Sequence, residues 1–101
     1  YVVLDKGTLD ALLCGGSSKE KRDVMCRLLE GCARLLRPAG TCVIVSLGAP
    51  EVRRRQFQES TTLLQLERVR TLQAYREANG TDSKVRTLCY AYMLTRVSDN
   101  L

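Results

Sequence analysis

Apolar residues gather first at Tyr1-Val2-Val3-Leu4, a run without polar alternation that stops at Asp5-Lys6-Gly7-Thr8. Such a run predicts a strand over residues 1–5, buried on both faces of a sheet. Thr8 to Leu13 predicts a short helical turn capped by Thr8, followed by a break at Gly15-Gly16-Ser17-Ser18. From Ser18, the expected N-cap, Val24, Met25, Leu28, Leu29, Cys32, Leu35 and Leu36 recur at steps of three and four. That spacing predicts a helix with one apolar face, opened by the charged run Lys19 to Asp23 and closed by Pro38 and Gly40. Thr41 to Leu47 predicts a second buried strand, and Pro50 suits the first turn of a helix over residues 50–59. Val52 and Phe57 are that helix's few apolar residues, so it is expected to be peripheral.

Residues 61–72 mix Leu63, Leu64, Leu66, Val69 and Leu72 with charges, a pattern that fits strand or helix. Asn79-Gly80 signals a turn. Val85 to Val97 predicts the longest strand, with Cys89, Ala91, Met93 and Thr95 on one face and Leu88, Tyr90, Tyr92 and Leu94 on the other. Its middle is apolar on both faces, as suits an interior strand. Strand, helix, strand and helix followed by two strands is an α/β pattern with an antiparallel pair at its end.

A length of 101 residues fits one domain, and 45% apolar with 27% charged residues reads as globular. No apolar run approaches the roughly 20 residues of a membrane span, so no membrane partner is expected. Nor does a basic region lead into a short apolar core, so a secretory leader is not expected. Cys14, Cys26, Cys32, Cys42 and Cys89 are odd in number, widely spaced and without a C-x-x-C pair. That usage points to the cytoplasm or another intracellular compartment, with the thiols packed as small buried hydrophobes. The chain has no histidine, which excludes Cys/His zinc spacings and Ser-His or Cys-His nucleophile pairs; no metal is expected. The net charge of +5 raises nucleic acid as a partner. Arg53-Arg54-Arg55, the one dense basic cluster, lacks interleaved aromatics and fans over roughly 200° of a helix, which reads as a solvated face, with a phosphate or acidic-partner contact as the alternative.

Ligands in open α/β sheets sit outside the carboxyl ends of the strands, which places Asp5, Lys6, Gly7, Thr8 and Asp10 where chemistry occurs. By spacing alone the favoured roles of the same residues are a turn and a helix cap. The run Val2-Val3-Leu4-Asp5-Lys6-Gly7-Thr8-Leu9-Asp10-Ala11 resembles the mid-sheet motif of class I S-adenosylmethionine-dependent methyltransferases. Its form is that of the elongation-factor-directed lysine and N-terminal methyltransferases, and citrate-synthase-directed relatives share the D-K-G-T core. Leu35-Leu36-Arg37-Pro38-Ala39-Gly40 before the second strand, and the late strand Leu88 to Thr95, extend the resemblance over most of the chain.

The resemblance implies a Rossmann-like sheet of order 3-2-1-4-5-7-6, of which this chain supplies 4-5-7-6 with the last strand antiparallel; it also assigns residues 61–72 to a strand. A whole domain of that family carries a glycine-rich loop after its first strand, and no G-x-G-x-x-G occurs here. The implied molecule is therefore a partial domain over residues 1–101, inactive alone, that lacks the amino-terminal cofactor-binding half. S-adenosylmethionine is the implied cofactor of the full-length domain and is not expected to bind this chain tightly by itself.

Asp5 is the implied catalytic carboxylate, orienting an acceptor nitrogen toward the donor methyl group. Gly7 is implied to let backbone approach the cofactor, and Lys6, Thr8 and Asp10 to contact substrate. Ser46 is a further pocket candidate, while Tyr90 and Tyr92 read as core or sheet-face residues. The implied partner is a protein substrate methylated on lysine or an N-terminal amine. The open edge of the first strand also invites a homodimer. Two other classes fit the composition: a noncatalytic dimerising or docking module, and a basic nucleic-acid-binding domain.

Overall fold

Val2 to Lys6 and Thr41 to Ser46 pair as parallel neighbours, with Val2 opposite Thr41 and Lys6 opposite Val45. The structure, a computed structural model, describes residues 2–77 and 84–97, with side chains over 2–73 and 88–97. Among these residues the order is β1 (Val2–Lys6), α1 (Thr8–Leu12), α2 (Ser18–Leu35), β2 (Thr41–Ser46), α3 (Pro50–Ser60), β3 (Leu64–Glu77) and β4 (Lys84–Arg96). The four strands make one open mixed sheet, β1-β2-β4-β3, in which β4 runs antiparallel to both neighbours. The fold is α/β, and residues 64–77 are strand. Tyr1 and the expected Asn79-Gly80 turn lie outside the described residues.

Directly paired residues share a face of the sheet, so the register divides it cleanly. One face carries Val3 and Asp5, then Cys42, Ile44 and Ser46, then Tyr92 and Leu94, which pair in register across β1, β2 and β4. The core forms here, where Leu9, Leu13, Met25, Leu29, Cys32, Ala33, Leu36, Phe57 and Leu64 join the inward residues of the central strands. Phe57 meets Tyr92 edge to face, centroids 5.3 Å apart, a favoured aromatic geometry. All three helices contribute to this one core. The other face carries Val2, Leu4, Val43, Val45, Ala91 and Met93, and no helix among the described residues contributes to a core there.

Several expectations change with this one-sided arrangement. β1 is not buried on both faces: Val2 and Leu4 are 69% and 68% exposed, because β1 is an edge strand with helices over one face only. Leu35 is 72% exposed. At about 100° per residue it lies about 120° around α2 from Leu29, outside the buried stripe. Ser17, not Ser18, is the N-cap of α2, its Oγ accepting from the Glu20 N–H at 3.2 Å. α3 starts at Pro50 as expected, but it is not wholly peripheral, since Phe57 and Arg53 are buried. Cys32 and Cys42 are buried as expected, Cys26 and Cys89 are half-buried, and Cys14 is exposed.

The phase of α2 predicts unequal costs for two similar truncations. Leu29→Ala should lower stability by about 3 kcal/mol in urea denaturation, because it opens a cavity in a filled core. Leu35→Ala should stay within about 0.5 kcal/mol of the parent. Equal losses would contradict the assigned helix face.

Candidate functional site

Beyond Lys6 the β1 backbone continues for one more bond, the Gly7 N–H donating to Val45 O at 3.3 Å. Gly7 then turns at φ 83°, a left-handed conformation that costs glycine little. It takes the N-cap position of α1, where Thr8 was expected, and no side chain at the cap itself bonds the helix. The free N–H of Leu9 is met instead by Asp5 Oδ2 at 3.1 Å, reaching forward four residues from the helix side of β1. Asp5 is thus buried and engaged at the start of α1, while Thr8 is exposed.

This turn delivers Asp10 to the end of β2. Asp10 Oδ1 accepts from Ser46 Oγ at 2.5 Å and from Arg53 Nη2 at 3.0 Å, and Oδ2 accepts from the Leu47 N–H at 2.7 Å. Arg53 Nε donates to Ser46 Oγ at 3.0 Å, and Nη1 donates to Gln56 Oε1 at 2.7 Å. The Gly48 N–H also donates to Ser46 Oγ, at 3.0 Å. Gly48 has a steric reason to lack a side chain, because a Cβ there would overlap the Arg53 guanidinium. Tyr92 Oη closes the arrangement by donating to Gly48 O at 2.5 Å.

Burial raises the Asp10 pKa, but the hydrogen bonds from Leu47, Ser46 and Arg53, with the Arg53 charge, outweigh it and leave the carboxyl below its ordinary value. Burial pushes the Tyr92 phenol up to about 12, so it remains a donor to Gly48. Deeper in the core the Cys42 thiol lies against that of Cys32, and this contact together with burial holds Cys42 well above the usual thiol range. These two thiols are packed core residues.

A cavity of about 340 Å³ opens at the carboxyl ends of β1 and β2, lined by Lys6, Gly7, Asp10, Val45, Ser46, Leu47 and Cys89. Three expected residues, Lys6, Gly7 and Asp10, meet there, together with Ser46. Asp5 and Thr8 do not line it. A larger hollow of about 450 Å³, lined in part by Glu30, Gln58 and Thr61, lies past the carboxyl end of α3, away from these strand ends. The first cavity is the better candidate because a buried charged network forms its wall. Both Asp10 oxygens accept hydrogen bonds from the surrounding elements, so this carboxylate fixes the geometry of the wall. Lys6 supplies an exposed cation at the rim.

Sequence reasoning missed Arg53. It was grouped with Arg54 and Arg55 on a solvated face, but only Arg54 and Arg55 are exposed. The usable signal was its place three residues after Pro50, in the opening turn of α3, from which a long side chain reaches back to the preceding strand end. Among the described residues no cluster of His, Cys, Asp or Glu could hold a metal, and no helix is long and apolar enough to cross a membrane. Compared with known proteins, the chain matches no family model and no curated protein.

Arg53 and Asp10 side chains are 11% and 22% exposed, so their ion pair is largely screened from water. Arg53→Met should cost about 2–4 kcal/mol, because it leaves a desolvated carboxylate without its cation. Adding Asp10→Asn should recover part of the loss. The native Asp10 pKa lies below the 3.8 of the unfolded chain, so its contribution is complete above that pH and vanishes as pH falls through the native value. Denaturant titrations from about pH 5 to about pH 2 should therefore be shallower for Asp10→Asn than for the parent. Parallel curves would contradict the assigned pairing.

Proposed function

We propose that this chain is the carboxyl-terminal half of a class I S-adenosylmethionine-dependent protein methyltransferase domain, directed at a lysine or N-terminal amine and inactive alone. The observation that carries the reading is the sheet. A parallel β1–β2 pair adjoins a β4 inserted antiparallel between β2 and β3, the arrangement the resemblance implies for strands 4-5-7-6. The D-K-G-T-L-D-A run supports it too, since it bends from β1 into α1 beside a cavity at the strand ends. The outer edge of β1 pairs with no other strand among the described residues, leaving room for a further strand of the same sheet.

In this reading Lys6 and Gly7 face the reacting end of the site, and Asp10 fixes the wall with Ser46 and Arg53. Asp5 acts as a positioning residue, because its carboxylate holds the first turn of α1 and thereby Gly7 to Asp10. The cavity does not fit the whole of S-adenosylmethionine. Its one lining carboxylate is spent on Ser46, Leu47 and Arg53, and no unengaged acid is left for ribose hydroxyls. The remaining cofactor contacts belong, in this reading, to the amino-terminal half.

Two measurements test this. Calorimetry of the chain with S-adenosylmethionine should show no micromolar binding, and mass spectrometry should find no methyl group added to protein or peptide amines. Turnover by the chain alone would overturn the half-domain reading. The coding sequence upstream should encode a strand followed by a glycine-rich turn, and its absence there would overturn the family assignment. In the extended protein, Asp5→Asn keeps an acceptor for Leu9 N–H and should retain most activity, whereas Asp5→Ala should lower turnover by about tenfold or more through the displaced turn. Equal activity of both variants would remove Asp5 from the site.

A further inference from the structure

The carboxyl end of α3 departs from what its own charge favours. A helix gathers partial negative charge at that end and is stabilised there by cations. α3 instead closes on Gln58-Glu59-Ser60, with no basic residue in its last turn. The Thr61 N–H returns to Phe57 O at 3.3 Å, and no backbone N–H among the described residues meets the carbonyls of Gln58, Glu59 or Ser60. Glu30 of α2 joins Glu59 in lining the hollow of about 450 Å³ past this helix end. Two carboxylates and a helix terminus of the same sign thus share one space, and such a breach of local preference is expected at functional positions.

Ser60 points to a ligand independently. It lines the same hollow and is only 9% exposed, yet its hydroxyl has no hydrogen-bond partner among the described residues. A buried hydroxyl left in that state is costly. The neighbouring Thr61 Oγ1 is already engaged, accepting from the Leu63 N–H at 3.0 Å. We infer that this hollow binds a guanidinium group, as an arginine side chain carries, with Glu30 and Glu59 supplying charge and the Ser60 hydroxyl and the α3 carbonyls accepting its N–H groups. Chemistry selects that occupant. Each of these groups can accept, and a guanidinium offers a planar fork of N–H donors and no acceptor. The half-buried Leu63 gives an aliphatic stem a surface to lie on. A bare metal ion fits poorly, since no group of three or more acids, His or Cys among the described residues could hold one.

Cations of the chain itself are placed elsewhere. Lys21 and Arg22 border a neighbouring hollow, and Arg34 and Arg55 lie one helical turn from the two acids, but none of them pairs with Glu30 or Glu59. Arg76, Lys84 and Arg86 belong to the far end of the β3–β4 pair, more than about 30 Å of strand from Leu64. The residues that follow Val97, Ser98-Asp99-Asn100-Leu101, include no cation. β3 is also the strand farthest from β1, at whose edge the proposed methyltransferase domain continues, so the hollow stays clear of the added strands.

The test titrates the intact chain with a capped tripeptide, arginine between two alanines, and follows the Ser60, Thr61 and Thr62 amide signals by NMR. Their shifts should saturate with a midpoint of about 1 mM, and the same peptide with norleucine in place of arginine should not move them. Glu30→Gln/Glu59→Gln, at two exposed positions, should weaken binding at least about fivefold. Glu20→Gln, on α2 outside the hollow, should leave it unchanged. Ser60→Ala strands no partner, so it should leave the urea midpoint in place and still weaken the peptide about threefold. Methylguanidinium moving the same signals as tightly as the peptide would support a free small molecule as the source of the group, and weaker binding would support a polypeptide. Shifts still linear at about 50 mM, or a midpoint that the double variant does not alter, would overturn the inference. So would displacement of the peptide by an equal concentration of calcium chloride, which would give the hollow to an inorganic cation.

Discussion

A single carboxylate ties three elements to one edge of the sheet. Asp10 comes from α1, its partners Ser46 and Leu47 from the end of β2, and Arg53 from the opening turn of α3. α1 has five residues, and α3 buries only Arg53, Phe57 and Ser60. A charged group can be buried when it is paired and hydrogen-bonded, and here both oxygens of Asp10 accept from groups on the other two elements. The cavity wall is therefore a rigid by-product of the same bonds.

That anchoring has a consequence for the rest of the molecule. With α1 and α3 held to one side and the apolar stripe of α2 packed between them, the hydrophobic core forms on one face only. The opposite face keeps apolar residues in water and borders them with Lys6, Arg68 and Arg70. The cavity at the strand ends opens where the two faces meet. The site is therefore walled by this network on one side and open on the other.

The α/β class and most element boundaries were legible in the sequence because apolar periodicity and the Pro50, Gly40 and Gly48-Ala49-Pro50 punctuation act locally. The details that failed depend on distant partners. Periodicity makes Leu35 as apolar as Leu36, and only the sheet beneath α2 decides which one is buried. Val2 and Leu4 looked buried because an edge strand and a central one share the same apolar run. Thr8 was the expected cap of α1, and the left-handed turn at Gly7 gave that task to Asp5. Among three adjacent arginines Arg53 stands out in the sequence only by its place three residues after Pro50, and its contact with Asp10 gives that place its meaning. The residues of the cavity that were legible, Lys6, Gly7, Asp10 and Ser46, are those whose position follows from the end of a strand.

The most direct measurement is the titration of the Asp10 carboxyl carbon by NMR in the intact chain. If Asp10 joins α1, β2 and α3 as described, its midpoint lies below 3.8 in the parent and rises when Arg53 is replaced by methionine. A midpoint at or above 3.8 that does not respond to Arg53 would show that the carboxylate is free, and that the edge of the sheet is held by something else.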